Sequence, residues 1–204
     1  MIFEKGHTYH IYNQGNNRQR IFFNRENYLF FLKKIKEHVF PHGEMLAWCL
    51  MPNHFHLMVE VREVVLAKTS EGFTQNEALT TNPRTFNDSI GLMLRSYTRA
   101  INKQEGKSGS LFRKETKAEC ITKTEGITPS FYHSDFGTVI NTHNIEEDYP
   151  QVCFDYIHQN PVRANLVKLA EEWEFSSYRD YCGLRNGKLV NPACALKYGI
   201  NLEV

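Results

Sequence analysis

Two short apolar runs, Leu46 to Met51 and His54 to Val61, are separated only by Pro52-Asn53. Both are of strand length and the dipeptide between them marks a turn, so the segment reads as a β-hairpin. Upstream, Thr8 to Tyr12 alternates and is rich in β-formers, a further strand that runs into a turn at Asn13 to Asn17. Tyr28, Phe31, Leu32, Ile35 and Val39 recur at helical spacing behind an Asn24 cap, and Pro41 and Gly43 end the pattern. Ile90, Met93, Leu94, Tyr97 and Ile101 mark a second amphipathic helix closed by Gly106, and Glu115 to Ile121 reads as a fourth strand. A third helix is expected to open at Asp148, with Pro150 in its first turn, and to stop at Asn160 because Pro161 follows. The order strand, helix, hairpin, helix, strand, helix predicts an α+β fold, an antiparallel sheet with helices packed on one face. Thr122 to Glu147 has no clean period and reads as an insertion or long ordered loop. Residues 1–182 are expected to form one domain and 183–204 a C-terminal tail.

Composition bounds the class. With 204 residues, 41% of them hydrophobic and 23% charged, the chain fits one globular domain with a sizeable core. No stretch is apolar enough for a membrane helix, and Met1 to Gly6 lacks the apolar region of a signal peptide, so a cytoplasmic protein is expected. Cys49, Cys120, Cys153, Cys182 and Cys194 are odd in number and form no C-x-x-C pair, which reads as buried thiols rather than disulfides or a zinc ribbon. The net charge of +1 names no partner, but its distribution is uneven. From Arg84 to Lys117 eight Lys/Arg face only Asp88, Glu105 and Glu115, and Arg95, Arg99 and Lys103 form a stripe at i, i+4, i+8. Such a stripe is either a solvated helix face or a phosphate-binding one.

Chemistry concentrates in two segments. On a strand, His54 and His56 point to the same face, with Met58 and Glu60 further along, while Phe55, Leu57 and Val59 face the core. Two neighbouring imidazoles can ligate one metal ion, or can be ordinary polar residues of an exposed face. On the third helix Tyr156 and Asn160 share a face at i, i+4. Tyr156 is either a nucleophile or a core tyrosine beside Val152. Asn160 is either a ligand through its amide oxygen or a helix cap before proline. His158 lies off that face and reads as helix surface or DNA contact.

Five segments in this order resemble the single-tyrosine HUH transposases, and most closely their REP-associated tyrosine transposase branch. They are Met51-Pro52-Asn53-His54-Phe55-His56-Leu57 followed by Ser96-Tyr97-Thr98-Arg99, then Gly109-Ser110-Leu111-Phe112-Arg113, Tyr156 to Ala164, and Trp173 to Tyr181. The resemblance spans about Tyr9 to Tyr181. It implies a ferredoxin-like sheet with the histidines on a central strand and the tyrosine on a mobile helix. It implies that His54, His56 and Asn160 hold a divalent ion, Mg²⁺ or Mn²⁺, with Ni²⁺ or Zn²⁺ able to occupy the site in a preparation. It implies that Tyr156 attacks a phosphodiester of single-stranded or hairpin DNA to leave a 5′-phosphotyrosyl link. Arg18, Arg20, Arg95, Arg99, Lys103, Arg113, Lys114, Lys117 and Arg163 are the expected DNA contacts. Relatives differ in whether one chain or two build the site, and the REP-associated branch implies a monomer rather than a homodimer. The spacer Thr122 to Glu147 is longer than the family's, and no long basic extension is expected after the domain. A metal phosphohydrolase using water, or a domesticated protein that only binds DNA hairpins, would be the competing readings.

Overall fold

The computed structural model describes residues 1–66, 83–122, 131–134, 137–140 and 145–201. Its elements run β1 (Thr8–Gln14), α1 (Arg25–His38), β2 (Gly43–Met51), β3 (His54–Val61), β4 (Val65–Leu66), β5 (Arg84–Thr85), α2 (Phe86–Gln104) and β6 (Lys117–Cys120). They continue with β7 (Phe131–Ser134), β8 (Gly137–Ile140), α3 (Ile145–Arg163), α4 (Tyr178–Tyr181) and α5 (Pro192–Lys197). The principal sheet is antiparallel in the order β2-β3-β1-β6, so the histidine-bearing strand is central. Taken with α1 and α2 this is the β-α-β-β-α-β arrangement of ferredoxin-like folds.

Alternation along the strands decides what each face of the sheet carries. Phe55, Leu57, Val59 and Val61 of β3, with Tyr9 and Ile11 of β1, turn to one side. There they meet Tyr28, Phe31 and Ile35 of α1 and Phe86, Ile90, Met93, Tyr97 and Ile101 of α2. Each large apolar side chain buried this way contributes about 1.5–3 kcal/mol relative to exposure. Both helices start on side-chain caps, Asn24 accepting from the Asn27 N–H and Thr85 forming a reciprocal box with Asp88. This is the expected layer of helices on one face.

The other face is covered too. Leu46, Ala47, Cys49 and Met51 of β2 and Met58 of β3 pack against Cys153, Phe154 and Ile157 of α3 and Cys194 and Ala195 of α5. A bulge between Met45 and Ala47 turns Leu46 and Ala47 to this side together. Because β2 is apolar on both faces, it requires cover from both. Residues 183–201, which sequence reading leaves as a tail, supply part of that cover through α5.

Two boundaries differ from expectation. α3 begins at Ile145 and runs through Pro161 to Arg163 instead of stopping at Asn160. Proline removes one donor, but the Ala164 N–H returns to the Asn160 carbonyl at 3.0 Å, so the ladder resumes. The turn is then closed by Asn165 in the left-handed region at φ 54°. Within 122–147, β7 and β8 pair as a two-stranded hairpin where no strand was expected; residues 123–130, 135–136 and 141–144 lie outside the described ones. All five cysteines are free thiols. Among the described residues no helix is long and apolar enough to cross a membrane.

Glu60 ties α5 to the sheet. Its carboxylate, on a residue only 4% exposed, accepts from Lys197 Nζ at 2.6 Å, Tyr198 Oη at 2.8 Å and Cys194 Sγ at 2.9 Å, with Arg62 Nε at 3.7 Å. Burial raises its pKa, but the hydrogen bonds from Cys194, Lys197 and Tyr198 outweigh burial and hold it at about 2 against an ordinary 4.5. A depressed carboxyl contributes stability above its unfolded pKa and loses it as pH falls through the folded one. The resistance of the wild type to urea should therefore weaken as pH falls from 4.5 to 2. Glu60→Gln should be less stable at neutral pH and should lose less across that window; equal slopes for the two proteins would contradict this anchor.

Candidate active site

The face shared by α3 gathers His10 and Tyr12 from β1, His54 and His56 from β3, and Tyr156 and Asn160 from α3. The β1–β3 register sets Gln14 opposite His54, Tyr12 opposite His56 and His10 opposite Met58. His10 then reaches diagonally to His56, its Nε2 2.9 Å from His56 Nδ1, with the rings stacked at 5.1 Å and 25°. Burial lowers the pKa of His10 to about 3. Burial first, and then the neighbouring His54 and His10, hold His56 well below 6.5. Both rings are neutral at neutral pH.

His54 is oriented by its neighbour. Its Nδ1 lies 2.6 Å from Asn53 Oδ1, and Asn53 Nδ2 donates to the Arg18 carbonyl at 3.4 Å. An amide oxygen only accepts, so His54 Nδ1–H is the donor and Nε2 carries the lone pair of the neutral ring. That Nε2 faces Asn160 Oδ1 at 3.4 Å. Asn160 Nδ2 in turn donates to the Tyr156 carbonyl at 3.4 Å, which turns the amide oxygen toward His54. Two lone-pair atoms thus converge across the β3–α3 boundary.

His56 adds a third atom. Its Nε2 is buried and has no hydrogen-bond partner among the described residues, a state that costs about 1–3 kcal/mol unless something occupies the position. Two imidazole nitrogens and an amide oxygen of this kind fit a divalent cation. Among the described residues no three His, Cys, Asp or Glu side chains form a metal-holding group, so a three-ligand set here needs the amide of Asn160.

Tyr156 stands edge-on to the imidazoles, its ring centroid 5.4 Å from His56 and 6.0 Å from His10. The Arg163 guanidinium lies 5.4 Å from the Tyr156 ring, placing a fixed positive charge at the phenol. The second tyrosine of the face is committed elsewhere. Tyr12 Oη donates to Glu119 Oε1 at 2.6 Å, and burial together with Glu119 raises its pKa.

The remaining cationic residues divide between two sides of the molecule. Arg18 and Arg20 are exposed on the loop after β1, which docks beside the histidine end of the hairpin. Gly15 N donates to Asn53 O at 2.7 Å, and the Ile21 and Phe22 amides donate to Pro52 O. A side chain at Gly15 would collide with the Gln19 carbonyl, so this tight loop needs glycine there. Arg113 is carried next to Gln14, whose carbonyl accepts its N–H at 2.8 Å, and Lys117 lies opposite Tyr12 with Glu115 3.2 Å away. Arg95 and Lys114 line one open depression with Asn87, Asp88 and Thr116. Arg95, Arg99 and Lys103 are exposed on α2, whose apolar side packs on the sheet face opposite to α3. The structure thus brings Arg163 to the site and keeps the α2 stripe across the sheet from it.

His158 is not surface. It is 1% exposed, its Nε2 2.7 Å from Ser177 Oγ. Ser177 Oγ also accepts from Trp48 N at 2.8 Å and donates to Trp48 O at 3.1 Å. Serine has one proton, spent on that carbonyl, so His158 Nε2–H is the donor. Burial lowers the His158 pKa to about 3. The sequence signal was its i, i+4 relation to the core residue Phe154, whose ring it meets at 4.3 Å. This latch fixes α3 to β2, and with it Tyr156 and Asn160. His10 was also missed as a site residue, although the same period that pairs His54 with His56 sets it on a common face with Tyr12.

No protein-family model and no curated protein matches the sequence. The fold is similar to that of a REP-associated tyrosine transposase solved bound to a REP hairpin. The match has a TM-score of 0.54 and covers 90% of this chain and 83% of that chain, at 17% sequence identity. At such identity the likeness is one of fold, an antiparallel four-stranded sheet with helices packed on it.

Ser177→Ala tests the latch. It strands His158 Nε2–H and the Trp48 amide in a buried setting, while the Trp48 carbonyl keeps the backbone N–H of residue 177 at 2.9 Å, so unfolding should become easier by about 1–3 kcal/mol. A change within about 0.5 kcal/mol, the range of ordinary surface substitutions, would show that α3 is held by apolar packing alone.

Proposed function

We propose that this chain is a metal-dependent single-strand DNA endonuclease and strand transferase of the transposase kind, with Tyr156 as nucleophile. The observation that carries the reading is the meeting, on one sheet face, of the Tyr156 ring with the His54–Asn160 pair and a buried His56 Nε2 that has no partner among the described residues. The solved protein of similar fold is described as a transposase bound to a DNA hairpin, which supports hairpin DNA as the partner.

The Tyr156 oxygen attacks phosphorus, the bond to the 3′ oxygen breaks, and the 5′ phosphate remains on the tyrosine. Because the new link is also a phosphodiester, a 3′-hydroxyl can reverse the step and join strands without an external energy source. His54, His56 and Asn160 would hold a Mg²⁺ or Mn²⁺ ion, which when bound draws charge from the scissile phosphate and stabilises the departing oxygen. The ligand set is uncharged, so little protein charge competes with phosphate for the cation. Arg163, at the phenol, is positioned to neutralise phosphate beside the nucleophile, and Arg18, Arg20, Arg113 and Lys117 flank the same side for backbone contacts. Arg95, Arg99, Lys103 and Lys114 serve a DNA segment that extends around the β6 edge. One chain supplies every group, and a monomer suffices.

Single-stranded hairpin DNA incubated with the protein and Mn²⁺ should give a covalent complex on a denaturing gel. Tyr156→Phe should abolish it. Cleavage that persists in Tyr156→Phe would identify a phosphohydrolase using water, and hairpin binding without cleavage in the wild type would identify a binding protein.

A further inference from the structure

We propose that His10 is the positioning residue of this site, holding His56 in the tautomer and orientation that present Nε2 to a divalent cation. The inference rests on the reading above, that His54, His56 and Asn160 hold such an ion. His10 and His56 are 7% and 4% exposed, and water cannot substitute freely for either. Their contact is a single N···N hydrogen bond of 2.9 Å, in which one ring must donate and the other accept. If His10 Nε2 donated, His56 Nε2 would carry its own proton and could not ligate. If His56 Nδ1 donates, His56 Nε2 carries the lone pair, and this is the buried nitrogen that finds no partner among the described residues.

The strand register makes the contact obligatory. His10 sits opposite Met58, two residues along the ladder from the Tyr12–His56 pair and on the same face, and the stacked rings at 25° prevent His56 from turning about its Cβ–Cγ bond. A ligating histidine ordinarily donates its second nitrogen to a carboxylate, carbonyl or water, and loss of that partner weakens metal affinity about 10–100-fold. Here the acceptor is an imidazole, which orients His56 without adding negative charge beside the phosphate. His54 is served separately by Asn53 Oδ1, so each imidazole of the pair has its own acceptor.

Calorimetric titration of the full chain with Mn²⁺ tests this. His10→Leu, which keeps bulk and removes the acceptor, should bind Mn²⁺ about 10–100-fold more weakly. His10→Gln, whose amide oxygen can still accept from His56 Nδ1, should recover most of that loss, an outcome that a purely packing role would not give. Wild-type affinity in His10→Leu, or equal loss in both variants, overturns the proposal. His54→Ala separates the two levels: if the wild type binds no Mn²⁺, or binds it as well without His54, the metal-site reading itself fails. Should His10→Leu not fold, ¹⁵N spectra of the wild type loaded with Zn²⁺ decide without a variant. His56 protonated at Nδ1 with Nε2 ligated is expected, and a proton on His10 Nε2 shared with His56 overturns it.

Discussion

The antiparallel pairing of β1 with β3, from Thr8 opposite Glu60 to Gln14 opposite His54, sets nearly everything else in this molecule. Side chains alternate across a sheet, so this register decides at once which residues form the core and which form the polar face. A slip of one residue would send Phe55, Leu57 and Val59 into the polar layer and drive His54 and His56 among Phe31 and Phe112. The apolar face, packed by α1 and α2, therefore holds His54 and His56 on the opposite face. Because the register is fixed by burial, the diagonal from His10 to His56 is fixed as well.

The second helical layer turns that polar face into an enclosed one. α3 lies over β2, held by the His158–Ser177–Trp48 latch and by Phe154 and Ile157, and so delivers Tyr156 and Asn160 opposite the imidazoles. Continuation of α3 through Pro161 to Arg163 matters for the same reason. It keeps the guanidinium two turns along the helix from Tyr156 and within 5.4 Å of the phenol ring. At the far end of β3, Glu60 ties down α5, so the strand that bears the histidines is clamped by one network at each end.

Much of this was legible from periodicity. The hairpin, the two amphipathic helices and the shared face of His54 and His56 follow from spacings of two and of three to four, whereas the central place of their strand is implied only by the family resemblance. The pairing of Tyr156 with Asn160 follows from helical spacing in the same way. Contacts between elements were not legible, because a period tells which face a residue occupies and not what meets it. His10 looked like one member of an alternating strand, and only the register shows that it reaches His56. His158 lies off the Tyr156–Asn160 face and so reads as surface, while the Ser177 hydroxyl that pairs with its Nε2 lies 19 residues away. Pro161 was read as a stop because proline usually is one; the resumed bond from Ala164 to Asn160 depends on the buried packing of the helix. The pattern across 122–147 gave no sign of the β7–β8 hairpin.

Construction of the whole site within one chain is what would join the fold to the proposed chemistry, and a mixing experiment measures it. Tyr156→Phe chains and chains carrying His54→Ala with His56→Ala are each combined with hairpin DNA and Mn²⁺, alone and together, beside the wild type. A site in which Tyr156 faces the histidines of its own chain predicts covalent complex with the wild type and none with either variant or with their mixture. Covalent complex recovered in the mixture would mean that the tyrosine helix of one copy serves the histidines of another, against the latched α3 described above.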